Sequence, residues 1–217
     1  MRNQFACVLV LAVSGFFVGG CKSEKDATNK PVVSSMKELR SEMAESRVAI
    51  DKTQTALTEL SSAADVQAAY DKLNKAVAEL KASSTEIRKL AAEMKAQSEL
   101  YIAKWRDELD QISDPSIKAS AAQRREALSA NFSKIRETAA GARSAYSTYN
   151  ASLNTIQTTL KNDLTPGGVN MLGGKIGTTK VEGDALKSEL DKLTGELDAI
   201  RAGMSTTRPV APTASAD

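Results

Sequence analysis

A register with alternating steps of four and three residues runs unbroken through Val66, Tyr70, Leu73, Val77, Leu80, Ser84, Ile87, Ala91, Met94, Ser98, Tyr101, Trp105, Glu108 and Ile112. Such spacing keeps one stripe of a helix turned toward a partner along its whole length. At 1.5 Å per residue the segment extends about 70 Å. Its seam includes small and polar members, among them Ser84, Ala91, Ser98 and Glu108. A helix of this length with so mixed a stripe cannot stand alone. The rest of the chain has to cover it.

Three further segments carry the same kind of pattern. In residues 34–62, Met36, Met43, Ile50 and Leu57 recur at the heptad interval, with Leu39 and Leu60 on the adjoining line. Ser46 and Thr53 interrupt that second line, so this seam is thin and leaves room for self-association. Asp65 is placed to cap the next helix, over 65–112. Asp114-Pro115 ends that helix and starts another, because aspartate caps and proline suits the first helical position. Over 115–163 the register reads Leu128, Phe132, Ile135, Ala139, Ala142, Tyr146, Tyr149, Leu153, Ile156 and Leu160. Thr165-Pro166 repeats the device and opens a fourth segment, 166–204. Short turns make neighbouring helices antiparallel. The expected fold is all-α: an elongated antiparallel four-helix bundle or coiled coil with a long central helical hairpin. Folding that hairpin sets Trp105 opposite Ala121 and Ala122, with Met204 nearby, and leaves roughly Asp107 to Lys118 as an exposed tip. The four tyrosines, Tyr70, Tyr101, Tyr146 and Tyr149, all fall on register and read as core-edge residues.

One stretch, TPGGVNMLGGKIGTT at 165–179, has the ingredients of a phosphate-binding loop. A P-loop needs glycine five residues before Gly174, where Val169 stands, and a hydroxyl after Lys175, where Ile176 stands. No strand precedes it. No nucleotide site is expected. The register Leu172, Ile176, Thr179, Gly183, Leu186, Leu190, Leu193, Leu197, Ile200, Met204 instead favours a continuous helix. In that helix glycines promote fraying, and Gly177 and Gly183 admit a close neighbour. The competing reading is a loop up to Gly177 with Thr179 and Glu182 as a capping box.

The ends have other signatures. Arg2 followed by the apolar run Phe5 to Val18 reads as a signal peptide over 1–20, too short to span a bilayer comfortably. Val18-Gly19-Gly20-Cys21 resembles a lipobox, which makes Cys21 an acylated, palmitate-bearing first residue and ties the protein to a membrane. Lys22 in place of aspartate favours, by resemblance to Gram-negative lipoproteins, an outer-membrane lipoprotein facing the periplasm. Residues 21–33 read as a flexible tether. Residues 205–217 are a Pro/Ser/Thr/Ala tail that cannot build a core.

With Cys7 removed and Cys21 acylated, no thiol remains for a disulfide. Histidine is absent, which removes Cys/His metal sites and histidine-dependent nucleophiles. Basic and acidic residues number 29 and 27, a balance that offers no footprint for nucleic acid. Neither a cofactor nor a metal is expected.

Trp105-Arg106-Asp107-Glu108-Leu109, the following Ser113 and Leu160-Lys161-Asn162-Asp163-Leu164 resemble a bacterial family of putative coiled-coil lipoproteins, domain-of-unknown-function family 2959. The resemblance covers most of residues 35–204. It implies a helical architecture and an envelope location but no activity. Where the family pattern carries a histidine near position 161, this chain has Asn162, so any chemistry of that histidine is lost.

The function expected is non-catalytic: a lipid-anchored coiled-coil binding, spacer or scaffold element of the cell envelope. Gln111, Ser113, Asp114 and Lys118 at the hairpin tip are the candidate partner contacts. The partner would be an envelope protein or peptidoglycan. The alternative is a self-associating structural lipoprotein, a homo-oligomer. Acid–base catalysis by carboxylates such as Glu108 and Asp110 comes last, because slender bundles seldom offer two carboxyls facing across a cleft.

Overall fold

The computed structural model describes residues 25–206, with side chains for 29–204. Five helices follow in order: α1 (Lys25–Ser61), α2 (Val66–Leu109), α3 (Pro115–Asn162), α4 (Pro166–Met171) and α5 (Gly173–Thr206). No strand occurs among the described residues. α4 and α5 form one arm with a single-residue break, so the architecture is an antiparallel bundle of four arms. α1 lies chiefly against α2 and α3 against α5, while α1–α5 and α2–α3 contacts close the ring. The seams meet on the axis in one continuous core, in which Met43, Ile50, Leu73, Leu80, Leu153 and Ile156 are fully buried.

The caps follow the sequence. Asp65 accepts from the Ala68 N–H at 3.0 Å. Asp114 accepts from the N–H groups of Ser116 and Ile117. Thr165 accepts from the Gly168 N–H at 3.1 Å, and Pro166 takes the first helical position after it.

Several expectations need correction. Residues 25–33 are helical rather than a tether. Val32, 1% exposed, extends the Met36–Leu39–Met43 seam backward. Pro31 lies inside the helix on its exposed side, where it removes one backbone bond. At the other end of the chain the helix runs on to Thr206. α2 ends at Leu109, and the seam there passes through buried Leu109 rather than Glu108. Ser46 and Thr53 do not thin the α1 seam outward: both are buried, and the Thr53 hydroxyl donates to Ala49 O at 2.8 Å. Cys21, the signal segment and residues 207–217 lie outside the described residues.

The glycine-rich arm is helical, with its break at Leu172, whose N–H bonds Val169 O in a tightened turn. Thr179 is no cap, because its hydroxyl donates to Lys175 O in mid-helix. The two glycines expected to admit a neighbour divide. A Cβ on Gly183 would meet the Tyr149 ring at 3.2 Å and Gln54 Nε2 at 2.8 Å. A Cβ on Gly177 would meet nothing within 4 Å. Gly183 is therefore a packing requirement, and Gly177 only weakens the helix. Gly177→Ala should raise the unfolding free energy by up to about 1 kcal/mol. Gly183→Ala should lower it despite the same propensity gain, since overpacking costs about 1–3 kcal/mol. Urea unfolding of both variants checks this, and a stabilised Gly183→Ala would refute the packing argument.

Candidate functional site

Two surfaces have the composition of a site: the hairpin tip and a groove between α2 and α3. At the tip, Gln111, Ser113 and Asp114 are exposed and Lys118 is half-buried. The structure brings them into one turn but does not leave them equally free. Asp114 is engaged by Ser116 N–H, Ile117 N–H and the Ser116 hydroxyl, and these bonds hold its carboxyl below its usual range. Lys118 Nζ reaches Asp110 Oδ1 at 3.2 Å and ties the two arms of the hairpin together. Gln111 and Ser113 are the side chains left to meet a partner. Glu108 is half-buried and Asp110 is spent on Lys118, so these carboxylates do not face each other across a cleft. Among the described residues no group of three or more His, Cys, Asp or Glu side chains could hold a metal ion.

The groove was not anticipated. On α2 the register positions Ile87 and Ala91 are only half-buried, and on α3 so are Ala139 and Tyr146. Here the two seams face each other with small side chains: Ser84 and Ala91 on α2, Ala139 and Ala142 on α3. A gap of about 650 Å³ results, floored by Leu39 and Met43 of α1 and by Leu186 and Leu190 of α5. That volume lies within the range of small-molecule sites, about 300–1,000 Å³. Toward the base, α2 and α3 are tied by Tyr70 Oη to Gln157 O at 3.1 Å, Gln157 Nε2 to Asn74 Oδ1 at 2.7 Å and Lys81 Nζ to Asn154 Oδ1 at 2.9 Å. Toward the tip, buried Met94 and Ile135 close it. Its signal in the sequence is the set of small residues on the facing registers, Ser84 and Ala91 on one arm and Ala139 and Ala142 on the other.

The charges at this mouth differ from those elsewhere. Flanking positions of paired helices usually carry complementary charges. The α1–α5 seam does so: Arg40 with Asp198, Arg47 with Asp191, and Lys187 with Asp51, Lys187 also holding Asp184 on its own helix. So do the α1–α2 seam, with Lys52–Glu79 and Lys72–Glu59, and the α3–α5 seam, with Lys134–Glu196. The groove instead is lined by Arg88, Lys95, Arg136 and Arg143 and by no carboxylate.

A family model described as a protein of unknown function (DUF2959) matches residues 24–204. No curated protein and no solved structure matches the chain.

The α1–α5 clamp yields a pH dependence. Bonds from Gln54 and Lys187 hold the Asp184 carboxyl below its usual value, and Asp51 with Asp184 raises the Lys187 ammonium. The Asp184 contribution is present above the ordinary carboxylate pKa and is lost as pH falls through its lowered folded value. The Lys187 contribution is present below the ordinary lysine pKa and is lost as pH rises through its raised one. Lys187→Met should therefore cost up to about 1 kcal/mol near neutrality, a small sum because the carboxylates are largely solvated. Its deficit should shrink as pH falls below the ordinary carboxylate range and as it rises above the ordinary lysine pKa, where the wild-type clamp loses its charges. A deficit independent of pH, by urea unfolding, would mean that Lys187 acts through packing alone.

Proposed function

The chain belongs to the DUF2959 family of proteins of unknown function, and for it we propose a non-catalytic role. It is a lipid-anchored helical scaffold of the bacterial cell envelope that presents its hairpin tip to a partner protein. Acylation at Cys21 supplies the anchor, and the outer membrane, periplasmic face, is the location that the residue after it favours.

The reach of the hairpin carries this reading. The Ser83 hydroxyl bonds Glu42, so Lys25, seventeen residues earlier on α1, stands opposite Leu100, seventeen later on α2. Thr138 bonds Glu196, so Thr206, ten residues on, stands opposite Leu128, ten back. Beyond those levels α2 and α3 continue together to the turn at residues 110–114. The extension runs about 15 Å past the level of Lys25, so a chain tied at Cys21 presents its polar tip on the same side of the bundle as its point of attachment. It supplies no enclosed pair of acid and base for a reaction.

Photo-crosslinking in cells from Gln111 and from Ser113 should capture one discrete partner. The same probe at Val181, exposed on α5, should not. Palmitate labelling should disappear in Cys21→Ala, and capture should weaken with it. Adducts formed only with other copies of this chain would replace the adaptor reading with self-association. Labelling unchanged in Cys21→Ala would remove the anchor.

A further inference from the structure

We propose that the groove between α2 and α3 binds a single-chain anionic amphiphile, a long-chain fatty acid. Its acyl chain would lie on the leucine and methionine floor and its carboxylate among the four cations at the mouth. The inference does not depend on acylation at Cys21 or on a partner at the tip.

The register carries the charge argument. Gln157 Nε2 bonds Asn74 Oδ1, which fixes a level shared by the two helices. Arg88 and Lys95 stand fourteen and twenty-one residues after Asn74, and Arg143 and Arg136 stand fourteen and twenty-one before Gln157. The antiparallel run therefore sets Arg88 opposite Arg143 and Lys95 opposite Arg136. Like charges face each other across this opening, whereas ion pairs of opposite sign bridge the α1–α5, α1–α2 and α3–α5 seams. Their own bonds do not relieve this. Arg88 and Arg136 donate to the hydroxyls of Thr85 and Ser133, one turn away on their own helices. Lys95 has only an exposed pair with Glu99 at 3.8 Å. Among the described residues Arg143 makes no hydrogen bond or ion pair. The carboxylates nearby in sequence, Glu93 and Glu137, do not line the groove. An anion held at the mouth would turn this repulsion into attraction.

Shape selects the rest of the ligand. The floor is aliphatic, and the slot follows about 15 Å of α2 from Ser84 to Met94. It is closed at the base by the Lys81–Asn154 bond and toward the tip by Met94 and Ile135. A helix, about 10 Å across and continuing past both ends, does not fit such a slot. A flexible acyl chain does.

The test uses the full chain in its membrane and a fatty acid carrying a diazirine on its acyl chain, compared with the matching fatty alcohol. After irradiation the acid should map to peptides containing Ala91, Ala139 or Ala142, with the alcohol labelling at least several-fold less. Arg88→Gln with Arg143→Gln, both exposed changes that leave the core intact, should reduce labelling by the acid about tenfold and leave the alcohol unchanged. Ala91→Leu with Ala139→Leu should fill the gap and reduce labelling by both, with helicity by circular dichroism confirming the fold. Equal labelling by acid and alcohol, adducts away from the groove, or undiminished labelling of the arginine variant would overturn the proposal. A photoreactive lysophospholipid that labels the groove where the fatty acid does not would overturn the carboxylate assignment.

Discussion

The bundle depends on seam burial at its base. A helix the length of α2 has one apolar stripe and no sheet or second layer to cover it, so stability comes from stripes meeting stripes. Leu57, Leu60, Leu73, Leu153, Ile156 and Leu160, all at most 1% exposed, gather beside the turns at 62–65 and 163–165. Each such side chain contributes about 1.5–3 kcal/mol when buried. Toward the tip the buried set thins to Tyr101, Trp105, Leu109 and Ala121, with Tyr101 edge-on to Trp105 at 6.0 Å. Local opening is cheapest where apolar contacts are few, so stability grades from base to tip and the groove lies between the two regimes.

Seams made mostly of leucine and alanine do not by themselves fix how far one helix slides along another. The buried polar layer does. Tyr149 is fully buried, and its ring packs on α5 where Gly183 has no side chain. Thr53 and Thr179, also fully buried, turn their hydroxyls to their own helices. Among the described residues the Tyr149 hydroxyl has no well-oriented partner, and burial pushes its phenol pKa upward. A shift of α5 by one turn would drive a side chain into that ring. Gln54 reads the same register from outside, donating to Lys180 O at 2.8 Å and Asp184 Oδ1 at 3.0 Å. Packing and polar contacts thus agree on one alignment.

Much of this fold is legible in the sequence because heptad spacing reports directly on which side of a helix is covered. On the last arm, Leu172, Ile176, Thr179, Gly183, Leu186 and Leu190 are all buried, as their spacing requires. Punctuation was less reliable. Pro31 costs α1 a backbone bond, yet the helix continues through it, and Val32 beside it has a core to join. Gly177 and Gly183 look alike in sequence and differ only in what stands across from them, which no single-chain pattern encodes. At the tip the residue types could be read but not their engagement: Asp114 and Lys118 are occupied, Gln111 and Ser113 are not. The groove escaped because its signal is a coincidence between two arms more than forty residues apart, visible only once the register is known.

That coincidence is what separates the groove from loose packing. A gap left by Ser84, Ala91, Ala139 and Ala142 forfeits dispersion contacts and burial that leucine or isoleucine would supply. Facing cations at the mouth add repulsion, where the other three seams carry ion pairs of opposite sign. Either departure alone would be ordinary surface or core variation. Sequences that specify one fold tend to agree across levels, and they break local rules where something other than stability is at stake. Here packing and electrostatics break their rules together, at the same levels of the same two helices, and what each lacks is what one ligand would bring: an apolar chain for the gap and a negative charge for the rim.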